Sequence, residues 1–291
     1  MIEYIEGDIF ESPAQVIVNT VNTVGVMGKG LALAFRKRYP KMFERYKQAC
    51  DNRSLDIGKL MLFYEADHWV LLFPTKRNWR NPSKLEYIEQ GLDKFVKAYA
   101  DKQISSIAFP RLGCGNGGLD WNDVKPIMER YLKNLPIRVY VYLRDYPELV
   151  PEHKEQQKTM GWLKKNAKSM SFLGLKDDLM HTGLIVPYEF VAIGKRYQML
   201  YVDNEMTLTS LLDDKIVKVD EKSLHVMWDE LQNDCVVESS GKTGKKPLVY
   251  ALLESLGYLS KIKLYVQQDD KMVEGYQLNE ALGRVKGLQD T

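Results

Sequence analysis

A chain of 291 residues that is 45% hydrophobic and 27% charged exceeds one ordinary core, implies two domains and excludes a fibrous or disordered class. Its formal net charge of +2 gives no field of one sign to gather polyanions from a distance, so any nucleic-acid contact must be local. Cys50, Cys114 and Cys235 form no CxxC pair, which excludes a disulfide framework and a zinc site and points to a reducing, cytoplasmic compartment.

The opening residues MIEYIEGDIF are acidic where a signal peptide is basic, and no run approaches the roughly 20 apolar residues that span a bilayer, so a soluble protein is expected. From residue 2 to about 142, short β-branched or aromatic runs alternate with segments of helical period, the pattern of an α/β layer architecture. Strands are expected over 2–6, 16–20, 59–64, 70–74, 106–109 and 138–143, and helices over 31–38, 41–50, 84–100 and 122–132.

Residues 145–157, DYPELVPEHKEQQ, combine two prolines with charge and few apolar side chains and read as a linker or exposed crossover. The domains are therefore placed at 1–150 and 160–291, with a linker at 151–159. Beyond it the pattern is a smaller α+β domain: a helix over 162–169, strands over 184–193 and 198–202, and helices over 224–231 and 247–256. Strands over 261–267 and 275–278 follow, about the turn residues Asp269 and Asp270. A helix before a hairpin admits a winged-helix-like or partner-binding module. Nineteen basic against 21 acidic residues from position 151 onward favour a protein partner over DNA.

Four constellations carry chemistry. Asp8, after Gly7 at the end of the first strand, is placed to accept hydrogen bonds from a ligand or simply to cap a turn. The second runs from a buried strand through Asn19, Asn22, Gly25, Gly28 and Gly30 into a helix. Its glycines admit a diphosphate close to the backbone, helix N-terminal amides favour anions, and two asparagines suit ribose hydroxyls. The alternative is an ordinary Asn/Gly turn. The third, PRLGCGNGGLDW from Pro110, repeats the strand, glycine-rich loop and helix order, and two such loops on one sheet would face each other across a phosphate site. The fourth, FPTKRNWR, delivers Lys76 to a sheet end beside Arg77 and Arg80. Neighbouring cations disfavour a charged amine, and a neutral amine attacks an anomeric carbon; from spacing alone a phosphate-binding or solvated basic turn fits as well.

Taken jointly, GDIF, VNTVNTVGVMGKGLA, FPTKRNWR and PRLGCGNGGLDW, in this order over residues 1–145, resemble the macrodomain family, and within it the branch of the DarG antitoxins and the terminal ADP-ribose glycohydrolases. The resemblance implies a three-layer α/β/α fold with a mixed sheet and an ADP-ribose cleft at the strand ends. It assigns Asp8 and Ile9 to the adenine and Asn19 and Asn22 to the neighbourhood of the distal ribose, with Thr20 also in the ligand site. Val26, Met27, Gly28, Lys29 and Gly30, with Thr75 and with Gly113, Cys114, Gly115, Asn116, Gly117 and Gly118, would complete the ligand site. Lys76 matches the lysine that attacks the distal ribose and frees ADP-ribose from DNA bases or acidic protein side chains.

The chain departs from that pattern at Gly117, where the terminal glycohydrolases carry a catalytic aspartate; Asp120, three residues on, is expected to cap the next helix. Residues after 160 do not resemble a DarG toxin-binding domain. The expected function is an ADP-ribosyl glycohydrolase acting on DNA, with Trp79 stacking on a base and Arg77 and Arg80 meeting phosphates. A cognate ADP-ribosyltransferase toxin is the expected partner. The alternatives are a non-catalytic ADP-ribose reader and a protein de-ADP-ribosylating enzyme, each coupled to a partner-binding domain.

No cofactor, metal or membrane is expected. His68, His153, His181 and His225 lack ligand spacing, and no His near Cys114 in sequence marks a thiolate nucleophile. The run from Gly241 to Lys246 looks like part of a phosphate loop, but Val236 stands where the first glycine belongs, so a solvated turn is expected.

Overall fold

β-branched and aromatic runs leave the middle of the N-terminal half no solvated face, and in the computed structural model they stack as parallel strands. The structure describes residues 2–144, 150–184, 186–237, 244–266 and 270–280, and these divide into two compact units between Thr159 and Met160. In the first, β1 (Ile2–Ile5), β2 (Val16–Asn22), β3 (Met61–Tyr64), β4 (Trp69–Lys76), β5 (Ser106–Pro110) and β6 (Arg138–Tyr142) form one sheet in the order β1-β6-β5-β2-β4-β3. Every pair is parallel except the edge pair of β3 with β4.

Strand alternation sorts the core onto two faces. Ile17, Val21, Val70, Leu72, Ala108 and Tyr140 pack with Phe35, Met42, Phe43 and Tyr46 from α1 (Gly30–Arg38) and α2 (Pro40–Asp51). Val16, Val18, Leu71, Phe73, Ile107, Phe109, Val139 and Val141 pack with Ile88, Leu92 and Phe95 from α3 (Leu85–Ala98), and with Val124, Met128 and Leu132 from α4 (Trp121–Leu132). Helices on both faces of a mixed sheet make a three-layer α/β/α arrangement.

Within residues 150–155, expected as part of a linker or exposed crossover, Val150 and Lys154 are exposed but Glu152 is buried. Glu152 opens a short 3-10 turn, Glu152–Lys154, and is 4% exposed; α5 (Gln156–Lys165) follows. The remainder of that linker reading, residues 145–149, lies outside the described residues.

In the second unit α6 (Phe172–Gly183) precedes a four-stranded antiparallel meander of β7 (Tyr188–Ala192), β8 (Lys195–Val202), β9 (Glu205–Ser210) and β10 (Ile216–Asp220). Then come α7 (Glu221–Asn233), β11 (Val236–Val237), α8 (Lys245–Ser255), β12 (Leu259–Val266) and β13 (Lys271–Leu278), the three strands pairing in the order β11-β13-β12. Leu175, Met199, Trp228, Leu252 and Tyr258 belong to one core shared by both sheets. The sequence reading lacked α6, β9 and β10. The helix followed by a hairpin that was expected there is present as α8, β12 and β13; residues 238–243, between β11 and α8, lie outside the described residues. Gly241, Lys242, Thr243 and Asp269 lie outside the described residues; Lys246 pairs with Glu230 at 2.7 Å.

Candidate functional site

The parallel strands β2, β4 and β5 end on the same side of the sheet, where open α/β sheets hold their ligands. A cavity of about 420 Å³ opens there, lined by Thr20, Asn22, Val26, Leu31, Ala32, Thr75, Lys76, Arg111, Gly113, Cys114, Gly115, Asn116, Gly117, Arg144 and Glu152, among others. The volume suits a small organic ligand. Residues of both glycine-bearing loops and the lysine therefore border one cavity.

The first loop is built around Asn22. Its side-chain oxygen accepts from the amides of Val24 and Val26 at 3.1 and 3.2 Å and from the Tyr46 hydroxyl at 3.1 Å, while its Nδ2 donates to the Val26 carbonyl at 2.7 Å. The loop is tied to the end of β4 by Thr23, whose amide and hydroxyl both donate to the Arg77 carbonyl. Gly30 then starts α1, and Leu31 and Ala32 of its first turn reach the cavity.

The second loop needs glycine for room. A Cβ at Gly117 would stand 2.2 Å from Ser83 Oγ and 2.3 Å from the Gly113 carbonyl oxygen, and Gly113 itself has φ +70°. Those positions admit no side chain without moving backbone. The Asn116 side-chain oxygen is buried without a hydrogen-bond partner on this wall, leaving an acceptor for a ligand donor. Burial pushes the Cys114 thiol up to about 12, with Arg111 opposing and Asp120 adding to the rise, so a thiol and not a thiolate stands here at neutral pH.

Lys76, at 5% exposure, donates to Glu152 Oε2 at 2.8 Å and to the Asn116 carbonyl at 3.1 Å. The expected cation neighbours are turned elsewhere. Arg77 pairs with Asp56 at 2.9 Å, and the Arg80 guanidinium lies 4.2 Å over the Trp79 ring. The charged group facing the amine is thus a carboxylate, from a stretch that sequence reasoning took for a linker. Nothing in its spacing marks Glu152, because its role depends on the chain returning over the site after β6.

Other expected residues fall outside the cavity wall. Asp8 caps the short turn Ile9–Glu11 by accepting from the Phe10 amide at 3.0 Å, and its other oxygen is 3.8 Å from Arg144. Ile9, Asn19 and Met27 are core residues, at 3%, 0% and 1% exposure. Gly28, Gly30 and Gly118 do not line the cavity, and Lys29 reaches Glu155 at 2.9 Å and the Val150 carbonyl at 2.7 Å. Trp79 is fully buried, a correction to its expected stacking on a base, since its ring has no free face. Asp120 caps α4 through the Asn122 amide at 2.8 Å.

Among the described residues no helix is long and apolar enough to cross a membrane, and no cluster of His, Cys, Asp or Glu is set to hold a metal.

A mixed sheet between two helical layers, with a cavity walled by two glycine loops at its strand ends, defines the class. Residues 18–128 match the family model described as Macro domain. A DNA ADP-ribosyl glycohydrolase of Mycobacterium tuberculosis is 44% identical over 140 residues, 47% of this chain and 40% of that protein. A DNA ADP-ribosyl transferase-DNA ADP-ribosyl glycohydrolase fusion protein of Thermosipho africanus is 41% identical over 161 residues, 49% of this chain and 42% of that one. The solved macrodomain of Thermus aquaticus DarG is 40% identical, covering 50% of this chain and 99% of its own, with a TM-score of 0.48. Through its N-terminal half the chain belongs to the macrodomain family. It spans about two-fifths of the length of each of these two curated relatives.

Proposed function

We propose that the N-terminal unit binds the terminal ADP-ribose of a modified molecule and removes it, with Lys76 as nucleophile and ADP-ribosylated DNA as the substrate. The carrying observation is Lys76 in the lining of a cavity shared with Asn22 and Val26 of the first loop and with Gly113, Gly115 and Gly117 of the second, whose lack of side chains leaves backbone open to a diphosphate. In this reading the amine bonds to the anomeric carbon of the distal ribose as the bond to the modified group breaks, its electron pair leaving with that group. Water then replaces the lysine and frees ADP-ribose.

The choice of DNA draws on the names of the relatives from Mycobacterium tuberculosis and Thermosipho africanus, and on exposed Arg77 beside the site. The fusion relative's name, which joins a transferase to a glycohydrolase, supports an ADP-ribosyltransferase as the opposing partner.

The test is release of ADP-ribose from a modified oligonucleotide by wild type and by Lys76→Ala, alongside calorimetry with free ADP-ribose. Loss of release with binding retained supports the reading. Equal release by both proteins removes Lys76 from the chemistry, and binding without turnover in the wild type leaves a reader of ADP-ribose.

A further inference from the structure

An amine that is to attack carbon must first give up a proton, and the group placed to receive it is visible. We infer that Glu152 is the proton acceptor for Lys76 and holds its amine toward the cavity, an inference that rests on the function proposed above. Glu152 Oε2 lies 2.8 Å from Lys76 Nζ, both side chains are at most 6% exposed, and both line the same cavity. The second glycine loop supplies no carboxylate of its own, since Gly117 leaves no room for a side chain and Asp120 is engaged at the helix cap.

The stretch that carries Glu152 is fastened at both loops. Lys29, from the first, binds Glu155 and the Val150 carbonyl, and His153 packs over Gly118 of the second, where an added Cβ would meet its ring at 3.0 Å. Glu152 is therefore held at the amine by contacts on either side, a requirement for a group that must exchange a proton at a fixed distance.

The steps balance. A proton passes from Lys76 Nζ to Glu152 Oε2. The freed lone pair forms the bond to the anomeric carbon while the bond to the modified group breaks and its electron pair departs with that group. The proton on Glu152 passes to the leaving group, which restores the carboxylate. In the second half, water bonds to the anomeric carbon as the bond to Nζ breaks, and Glu152 takes the proton that water sheds.

Glu152→Gln in the full chain separates this from a merely structural ion pair, because the amide still accepts a hydrogen bond from Nζ but takes no proton. With an ADP-ribosylated oligonucleotide as substrate, kcat is expected to fall about 100-fold, while KM and the calorimetric Kd for ADP-ribose stay within about threefold. A kcat close to wild type, with Lys76→Ala inactive, overturns the assignment and leaves the proposed function standing. Loss of ADP-ribose binding together with turnover also overturns it, by making the carboxylate a prop for the fold. Full activity of Lys76→Ala instead fails the underlying reading.

Discussion

Asn22 stands opposite Lys76 in the β2–β4 ladder, in a register that shifts after Val21 so that Thr75 is left as the extra residue on β4. A bulge at a strand end turns side chains that would otherwise follow the pleat, and here Asn22, Thr75 and Lys76 all come to line one cavity. The asparagine that shapes the first loop and the amine proposed as nucleophile are thereby set side by side.

Replacing Asn22 by Ala removes side-chain partners from the Val24 and Val26 amides and the Val26 carbonyl, while the Tyr46 hydroxyl keeps its 2.9 Å hydrogen bond to the backbone carbonyl at that position. Each buried group left unpaired costs about 1–3 kcal/mol, and some will find water, so a loss of about 3 kcal/mol in urea unfolding is expected, with weaker ADP-ribose binding. Unchanged stability would show that the loop holds its shape without this side chain.

Gly117 and Gly115 make a matched pair. An alanine at 117 drives its methyl into Ser83 Oγ and the Gly113 carbonyl, whereas a Cβ at 115 meets nothing within 4 Å. Gly117→Ala is expected to lower ADP-ribose affinity at least about tenfold and to reduce Tm, while Gly115→Ala leaves Tm as it was. Equal melting of the two variants would contradict the packing described.

Burial, with the nearby Lys76 and Lys154 cations, holds the His153 imidazole below its usual range against an opposing backbone hydrogen bond to Asn116. As pH falls through the unfolded value of about 6.5, the unfolded chain takes up this proton before the folded one. Stability is therefore kept above about pH 6.5 and lost below it. Denaturation of wild type and His153→Gln at about pH 7.5 and about pH 5.5 should show a smaller acid loss in the variant; identical losses would detach His153 from the effect.

Arg77 is exposed and paired with Asp56, so if DNA is the substrate it is the cation placed to meet a backbone phosphate. Arg77→Ala should weaken binding of the modified oligonucleotide and flatten its dependence on log salt by about one unit. An unaltered slope would remove Arg77 from the contact.

The first unit was legible because its strands are buried on both faces and read as unbroken apolar runs, and because glycines cluster where those runs stop. Reading failed where tertiary context decides. The Trp79 ring sits between basic residues in sequence yet is buried, and Glu152 lies in a Pro- and charge-rich stretch that local chemistry cannot tell from a spacer. In the second unit the two-residue turn at Asp203 and Asn204, both at positive φ, was a hairpin signal that would have revealed β9. Ile193 and Gly194 turn the chain, so the strand expected over 184–193 stops one residue earlier, at Ala192.

The pairing of β1 with β6 bears on how the protein is made. A parallel edge strand synthesised first has no neighbour until some 130 residues later, so during translation the nascent sheet must wait, and contacts so distant along the chain close slowly. Because Glu152 follows β6, the finished carboxylate–amine pair emerges after the rest of that sheet has left the ribosome, and a shortened polypeptide would expose the lysine without its counterpart.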